Sequence, residues 1–279
     1  MPEKTFILAD TTCDLDVKDL AAFPVDYIPF HIHIDGNDQL ESDGVTASDV
    51  FNALDTAKVH TSPPTVEELL TKYQSIAEKG YNNLLVLQIS SGMSEAFKNA
   101  RTAASEFYDM DVEVINTRLI SSSLGILVHY MASRLDEFDN FQDIIWEAQR
   151  VARKIKFRFT LNTLEYLRKG GRIGGVEAAV GNMLNLKPII GLDEKGVNHP
   201  YDKKIGWQTA LNFLKKYFIK ETRGYAQYIQ VSYGKDDPLF EALVEDLRQN
   251  ITADQFLIGR ANPVIGVHTG PESISIAAL

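Results

Sequence analysis

A single cysteine, Cys13, stands in 279 residues. An internal disulfide, a CxxC redox pair and a cysteine metal cluster are therefore all excluded, which suits a reducing compartment. Basic residues are in short supply as well: 28 Lys and Arg face 38 Asp and Glu, a net charge of −10. That balance argues against general nucleic-acid binding and against adhesion to an anionic membrane. No apolar run approaches the roughly 20 residues needed to cross a bilayer. The first residues turn at once to charge and strand pattern, without a basic-then-apolar leader. A cytoplasmic protein without membrane insertion is expected. Nucleotide cradles are missing too, since neither GxGxxG nor GxxxxGK[ST] occurs.

What is present is ample apolar material, 44% of residues, enough for a substantial core. Through the first half, strand-length apolar runs alternate with helical patterns. Phe6–Ala9, Val25–Phe30, Asn83–Ile89 and Val112–Asn116 read as strands; Ser48–Leu54, Ser94–Phe107, Ser121–Leu135 and Asp143–Ile155 read as helices. This order predicts a mostly parallel sheet with helices on both faces. Thr65 followed by Glu68 is a capping box for a further helix. Alternation around Asp35-Gly36 predicts a small hairpin over 31–44.

From Ile155 the pattern changes to hairpins and helices with fewer parallel crossovers, as at the turn Asp193–Gly196. A helix is expected over Glu177–Asn185, close-packed through Ala178, Ala179 and Gly181, and Val264–Pro271 reads as the end of an apolar strand. We therefore expect an α/β chain of two domains: 1–155 with the mostly parallel sheet, and 156–279 as an α+β unit with a mixed or antiparallel sheet.

The candidate chemistry gathers at strand ends. Asn83–Ser94 runs from strand through Ser90-Ser91-Gly92-Met93-Ser94 into a helix. Such junctions bring backbone N–H groups and the helix dipole to bear on an anion. A carboxylate held by Ser91, Gly92 and Ser94 is one reading; Ser94 as a plain helix cap is the other. Pro63 and Pro64 stiffen a stretch that carries the hydroxyls of Thr61 and Ser62 on a polar loop. His268 and Thr269 precede a Gly-Pro turn, where a histidine can bind a carboxylate or move a proton. Four glycines around Arg172 imply unusual dihedrals or close backbone approach.

Ser91, His268 and Asp10 also supply the residue types of a hydrolase or acyltransferase, but the GxSxG elbow is absent. A ligand-dependent regulatory module is a third reading. His31 and His33 share a strand face, yet spacing suggests no third ligand, so no metal is expected.

These marks, in their order and spacing, resemble the DegV family of fatty-acid-binding proteins. They are Asp10–Leu15, His60–Thr65, Ile89–Ser94, Leu164–Ile173, Leu186–Ile190 and His268–Pro271, and the resemblance covers essentially the whole chain. It implies two α/β-type domains holding one long-chain fatty acid between them, with no cofactor. Its carboxylate would meet Thr61, the loop carrying Ser91, and His268 nearby. Arg172 would lie on the surface by the head group and help a partner engage. The resemblance also implies a carrier rather than an enzyme, acting with a separate ATP-using fatty acid kinase subunit that makes the acyl phosphate for phospholipid synthesis. The chain departs from the family pattern at Pro63, Thr65, Glu95-Ala96, Ile205–Trp207 and Glu272.

Overall fold

The computed structural model describes residues 4–180 and 185–279. Its strands in chain order are β1 (Thr5–Asp10), β2 (Val25–Ile28), β3 (His31–Ile34), β4 (Asn37–Leu40), β5 (Val59–Ser62), β6 (Asn83–Gln88) and β7 (Asp111–Asn116). There follow β8 (Lys156–Leu161), β9 (Leu186–Leu192), β10 (Asn198–Ile205), β11 (Tyr225–Tyr233), β12 (Thr252–Arg260) and β13 (Ser273–Ala278).

The first sheet, β2-β1-β6-β7, is parallel throughout. β1 and β6 are buried along their whole length, as expected of strands covered on both faces. The second, β10-β9-β8-β13-β11-β12, is mixed: only β11 and β12 run parallel. The turn at Asp193–Gly196 joins β9 to β10, with the Asp193 side chain accepting from Lys195 and Val197 N–H.

The hairpin β3–β4 gains a third strand, β5, paired antiparallel to β3. Thr61 and Ser62 thus lie on a strand, whereas sequence placed them on a loop. The prolines at 63 and 64 stop that strand rather than stiffen a loop, since they cannot donate to a ladder. Helix Val66–Ala77 starts at the predicted box, Thr65 accepting from Glu68 N–H and Glu68 from Thr65 N–H. One helix further up, the cap is Thr46 rather than Ser48. Of the helix expected over Glu177–Asn185, Val176–Val180 is helical; Gly181 and its neighbours through 184 lie outside the described residues.

The largest revision concerns 263–269, expected as a strand and folded as a helix. Asn262 accepts from Val264 N–H at 2.8 Å, and Pro263 sits in the first turn, where its fixed φ and missing N–H cost nothing. Val264 and Val267, one turn apart, are buried, and Gly270 ends the helix at φ +72°. A short apolar run suits either structure, and the Asn-Pro pair was the deciding local signal.

Helix Ser121–Ala132 occupies the centre. Every one of its residues is buried, as a helix apolar on all sides requires. It packs on β1 of the first sheet and on β8, β11 and β13 of the second. One apolar cluster accordingly runs from Ile7 and Leu87 through Leu124 and Leu127 to Phe157 and Tyr228. Among the described residues no helix is long and apolar enough to cross a membrane.

Gly125 makes the central packing possible: a β-carbon there would overlap the Cys13 carbonyl oxygen and the Gln230 amide. Replacing it by Ala drives a methyl group into the Cys13 carbonyl and the Gln230 side chain. We expect Gly125→Ala to lower stability by about 1–3 kcal/mol. Urea unfolding would detect this, and an unchanged midpoint would show that the helix can shift.

Candidate functional site

Between the sheets lies a narrow cavity with about 780 Å³ of empty volume, counted out to its open mouth. Most of its wall is apolar, including Phe30, Ile89, Met93, Phe157, Phe159 and Leu167. Thr61, Ser94, Arg172, His268 and Thr269 bring polar groups to it. The cavity therefore gathers side chains from β5, the loop after β6, the glycine-rich stretch and helix Pro263–Thr269.

His268 is in the last turn of that helix, and its Nε2 lies 3.0 Å from Thr61 Oγ1. Nδ1 is buried with no hydrogen-bond partner among the described residues. The half-buried imidazole lines the cavity. Burial, reinforced by the positive charge of Arg172, holds its pKa down at about 3. The ring is thus neutral at physiological pH. An orphaned acceptor is tolerated better than an orphaned N–H, which places the proton on Nε2. Nε2–H then donates to Thr61 Oγ1, and the threonine hydroxyl hydrogen remains for a ligand oxygen. Gly170 is required beside it: a β-carbon at 170 would overlap His268 Nδ1.

Arg172, expected at the surface by the head group, is half-buried and lines the cavity. Its Nε donates to Met93 O at 3.1 Å and its Nη1 to Gly170 O at 2.7 Å. Asn198, also on the wall, donates to Arg172 O. Gly174, at φ +56°, lets the chain turn tightly against the Asn198 carbonyl. The glycines thus serve to hold one cation at the cavity wall.

The serine loop is occupied with its own bonds. Ser91 N–H donates to Asn116 Oδ1, and Asn116 Nδ2 donates to Ser91 Oγ at 2.7 Å. Gly92 N–H goes to Ser90 Oγ, and Met93 and Ser94 N–H go to Ser90 O. Ser90, which the sequence reading passed over, is the buried residue about which the loop turns; its hydroxyl donates to Gly196 O at 2.7 Å. Ser94 stands one residue before the helix N-cap, Glu95; it accepts from Ala96 N–H and lines the cavity. Ser91 and Gly92 are exposed and do not line the cavity, nor does Ser62, whose Oγ bonds His33 Nε2 at 2.8 Å. The amides expected to greet an anion are therefore already used, and the donors left at the wall are Thr61, Ser94 and Arg172, with His268 holding the Thr61 hydroxyl in place.

No hydrolytic triad assembles. Asp10 accepts from Thr12 and from Ile89 N–H, Ser91 is bonded to Asn116, and His268 to Thr61. His31, His33 and His60 stack along the small sheet, with His31 bonded to Asp38 and Glu68. Among the described residues no cluster of three or more such side chains could hold a metal ion.

Behind the site lie three buried acids, Asp10, Asp14 and Glu41. Desolvation pushes Asp10 up to about 6, and Asp14 and Glu41 up to about 7. Asp14 Oδ1 accepts from Asn262 N–H at 2.8 Å, and Oδ2 accepts from Ser121 Oγ. Since Asn262 caps the helix that ends in His268, Asp14 anchors the element carrying the imidazole.

Residues 4–279 match a family described as "Uncharacterised protein, DegV family". A DegV domain-containing protein of Clostridium acetobutylicum is 29% identical over 280 residues, 99% of each chain. Among solved structures, a DegV family protein from Thermus thermophilus, described by its fatty acid binding, is similar at 28% identity and a TM-score of 0.90, with 99% of each chain covered. A fatty acid binding DegV family protein from Streptococcus agalactiae is similar at 25% identity and a TM-score of 0.88, covering 99% of this chain and 98% of that one.

Asp14 yields a pH test. Its folded pKa, about 7, lies above the ordinary value of 3.8, so the native state binds the proton more tightly than the unfolded chain. The stability it contributes is full below about pH 4 and is lost as pH rises through 7, by at most about 1.4 kcal/mol per unit. Asp14→Asn removes this slope. Urea unfolding at pH 5 and pH 8 should show the variant gaining on wild type at the higher pH; a constant difference would contradict the assignment.

Proposed function

We propose, for a chain that belongs to the DegV family, that it binds one long-chain fatty acid in the cavity between its sheets. The carboxylate would sit at Thr61, Ser94, His268, Thr269 and Arg172. The observation that carries this reading is a neutral imidazole, a hydroxyl donor and a held guanidinium at the wall of a narrow apolar cavity. A carboxylate needs donors and a cation, whereas its tail needs only apolar wall. The fatty acid binding described for the Thermus thermophilus and Streptococcus agalactiae proteins supports the same assignment.

Tail and head divide the work. A buried methylene contributes about 0.8 kcal/mol, so a long tail supplies on the order of 10 kcal/mol before ordering costs. The head group sets orientation and selects the free acid. Thr61 donates its hydroxyl hydrogen to one carboxylate oxygen, and Arg172 offers Nη2, which no described residue engages. Charge-assisted bonds of this type are the strong ones. Ser62, Ser91 and Gly92 then shape the neighbouring strand and loop.

A bound carboxylate at the cavity mouth is also where a phosphoryl group could be added. The sequence has no phosphate-binding loop of its own, so the nucleotide would come with a separate ATP-dependent kinase subunit. In this reading Arg172 serves both the acid and that partner, and the product is an acyl phosphate destined for phospholipid synthesis.

Calorimetric titration of delipidated protein should show a long-chain free acid binding one to one and its methyl ester binding at least tenfold more weakly. Thr61→Val keeps shape and removes the donor; the lost bond to a charged oxygen, about 1.5–3 kcal/mol, should weaken the acid by tenfold or more. Equal affinity for acid and ester, or an unaffected Thr61→Val variant, would overturn the head-group assignment.

A further inference from the structure

The second sheet ends in two long edge strands, β10 and β12, and they are guarded differently. β10 carries Pro200, a register shift between Pro200 and Asp202, and then Lys203 and Lys204. Proline, bulges and lysines are what protect an edge strand from pairing with another chain. β12 has neither proline nor lysine from Thr252 to Arg260 and keeps one register with β11 along its length. Its Ile258 is 40% exposed.

The outer side of β12 can be assigned residue by residue. Leu279 N–H donates to Tyr228 O, and Ala261 N–H donates to Tyr233 O. Backbone groups alternate in direction along a strand, so from Tyr228 onward the even-numbered residues of β11 serve β13 and the odd-numbered ones serve β12. Leu257, Gly259 and Ala261 therefore turn their backbone groups inward, while Phe256, Ile258 and Arg260 present theirs outward. Asp254, Phe256, Ile258 and Arg260 also share one face of the sheet. A second β12 laid antiparallel about a two-fold axis at Leu257 sets Phe256 opposite Ile258 and Asp254 opposite Arg260. Phe256 and Ile258 then exchange both backbone hydrogen bonds. The exposed Ile258 gains an aromatic neighbour, and opposite charges face one another. Within one chain Asp254 accepts from the Tyr225 hydroxyl at 2.7 Å, and Arg260 pairs with Asp236. All four residues are at the surface, where such contacts contribute little and are readily exchanged.

We propose that β12 is a self-complementary interface through which two copies of this chain pair, joining their mixed sheets into one continuous sheet. The contact is isologous, the same patch serving both copies. A second copy is the occupant because β12 itself supplies both members of each pair, acid with base and aromatic with aliphatic. The pairing is independent of fatty-acid binding, since no residue of β12 lines the cavity. A strand pair is a small interface, so association is reversible and the dimer fraction rises with concentration.

Sedimentation velocity over a concentration series tests this. Wild type should shift from monomer toward dimer as concentration rises, and amide hydrogen exchange at Phe256 and Ile258 should slow in step. Arg260→Asp sets like charges opposite one another and should weaken the dimer by about tenfold or more. Adding Asp254→Arg restores opposite charges in exchanged places and should recover the dimer. A wild-type protein that stays monomeric throughout overturns the proposal, whether or not the variants fold. A dimer indifferent to Arg260→Asp, or one that the double exchange fails to recover, overturns it as well.

Discussion

A helix without a polar face has to be enclosed, and Ser121–Ala132 is enclosed on all sides. It touches the parallel sheet through β1 and the mixed sheet through β8, β11 and β13, so one face of each sheet rests on it. That constraint turns two sheets into one continuous core. It also brings polar groups where water cannot reach. The serines at the helix start, Asp14 and Gln230 are all buried and meet one another or nearby carbonyls. Buried polar groups hold only when hydrogen-bonded, and this network accordingly fixes how the central helix sits against the second sheet.

The same network reaches the ligand site by a short mechanical path. Asp14 holds Asn262, Asn262 caps the helix, and the helix ends in His268 against Thr61. No step depends on a flexible surface side chain. The imidazole stays neutral because burial and Arg172 both oppose its protonation. Among the described residues the single positive charge facing the cavity is then the guanidinium, pinned by two carbonyls. An anion entering such a site meets donors already oriented, so little reorganisation opposes binding.

Local rules made much of this visible from sequence. The Thr65–Glu68 box and the Asp193–Gly196 turn each carry their own signal. The parallel sheet followed from apolar runs alternating with helical patterns. Helix 263–269 did not, because its apolar residues fit two periods and only Asn262-Pro263 separates them. Ser91 attracted attention as the second serine of a polar turn, yet Asn116 claims it, and that partner is 25 residues away. The cavity itself was illegible: Phe157 and Leu167 look like any core residue until the packing leaves a gap beside them.

The proposed function places an acyl chain between the two sheets with its acid end at Thr61, His268 and Arg172. Native mass spectrometry of the protein purified without added lipid tests that claim most directly. The account predicts a complex heavier than the chain by one long-chain fatty acid, released intact on denaturation and identified in the lipid extract. A chain that flies at its own mass, and stays at that mass after incubation with long-chain fatty acids, would contradict it.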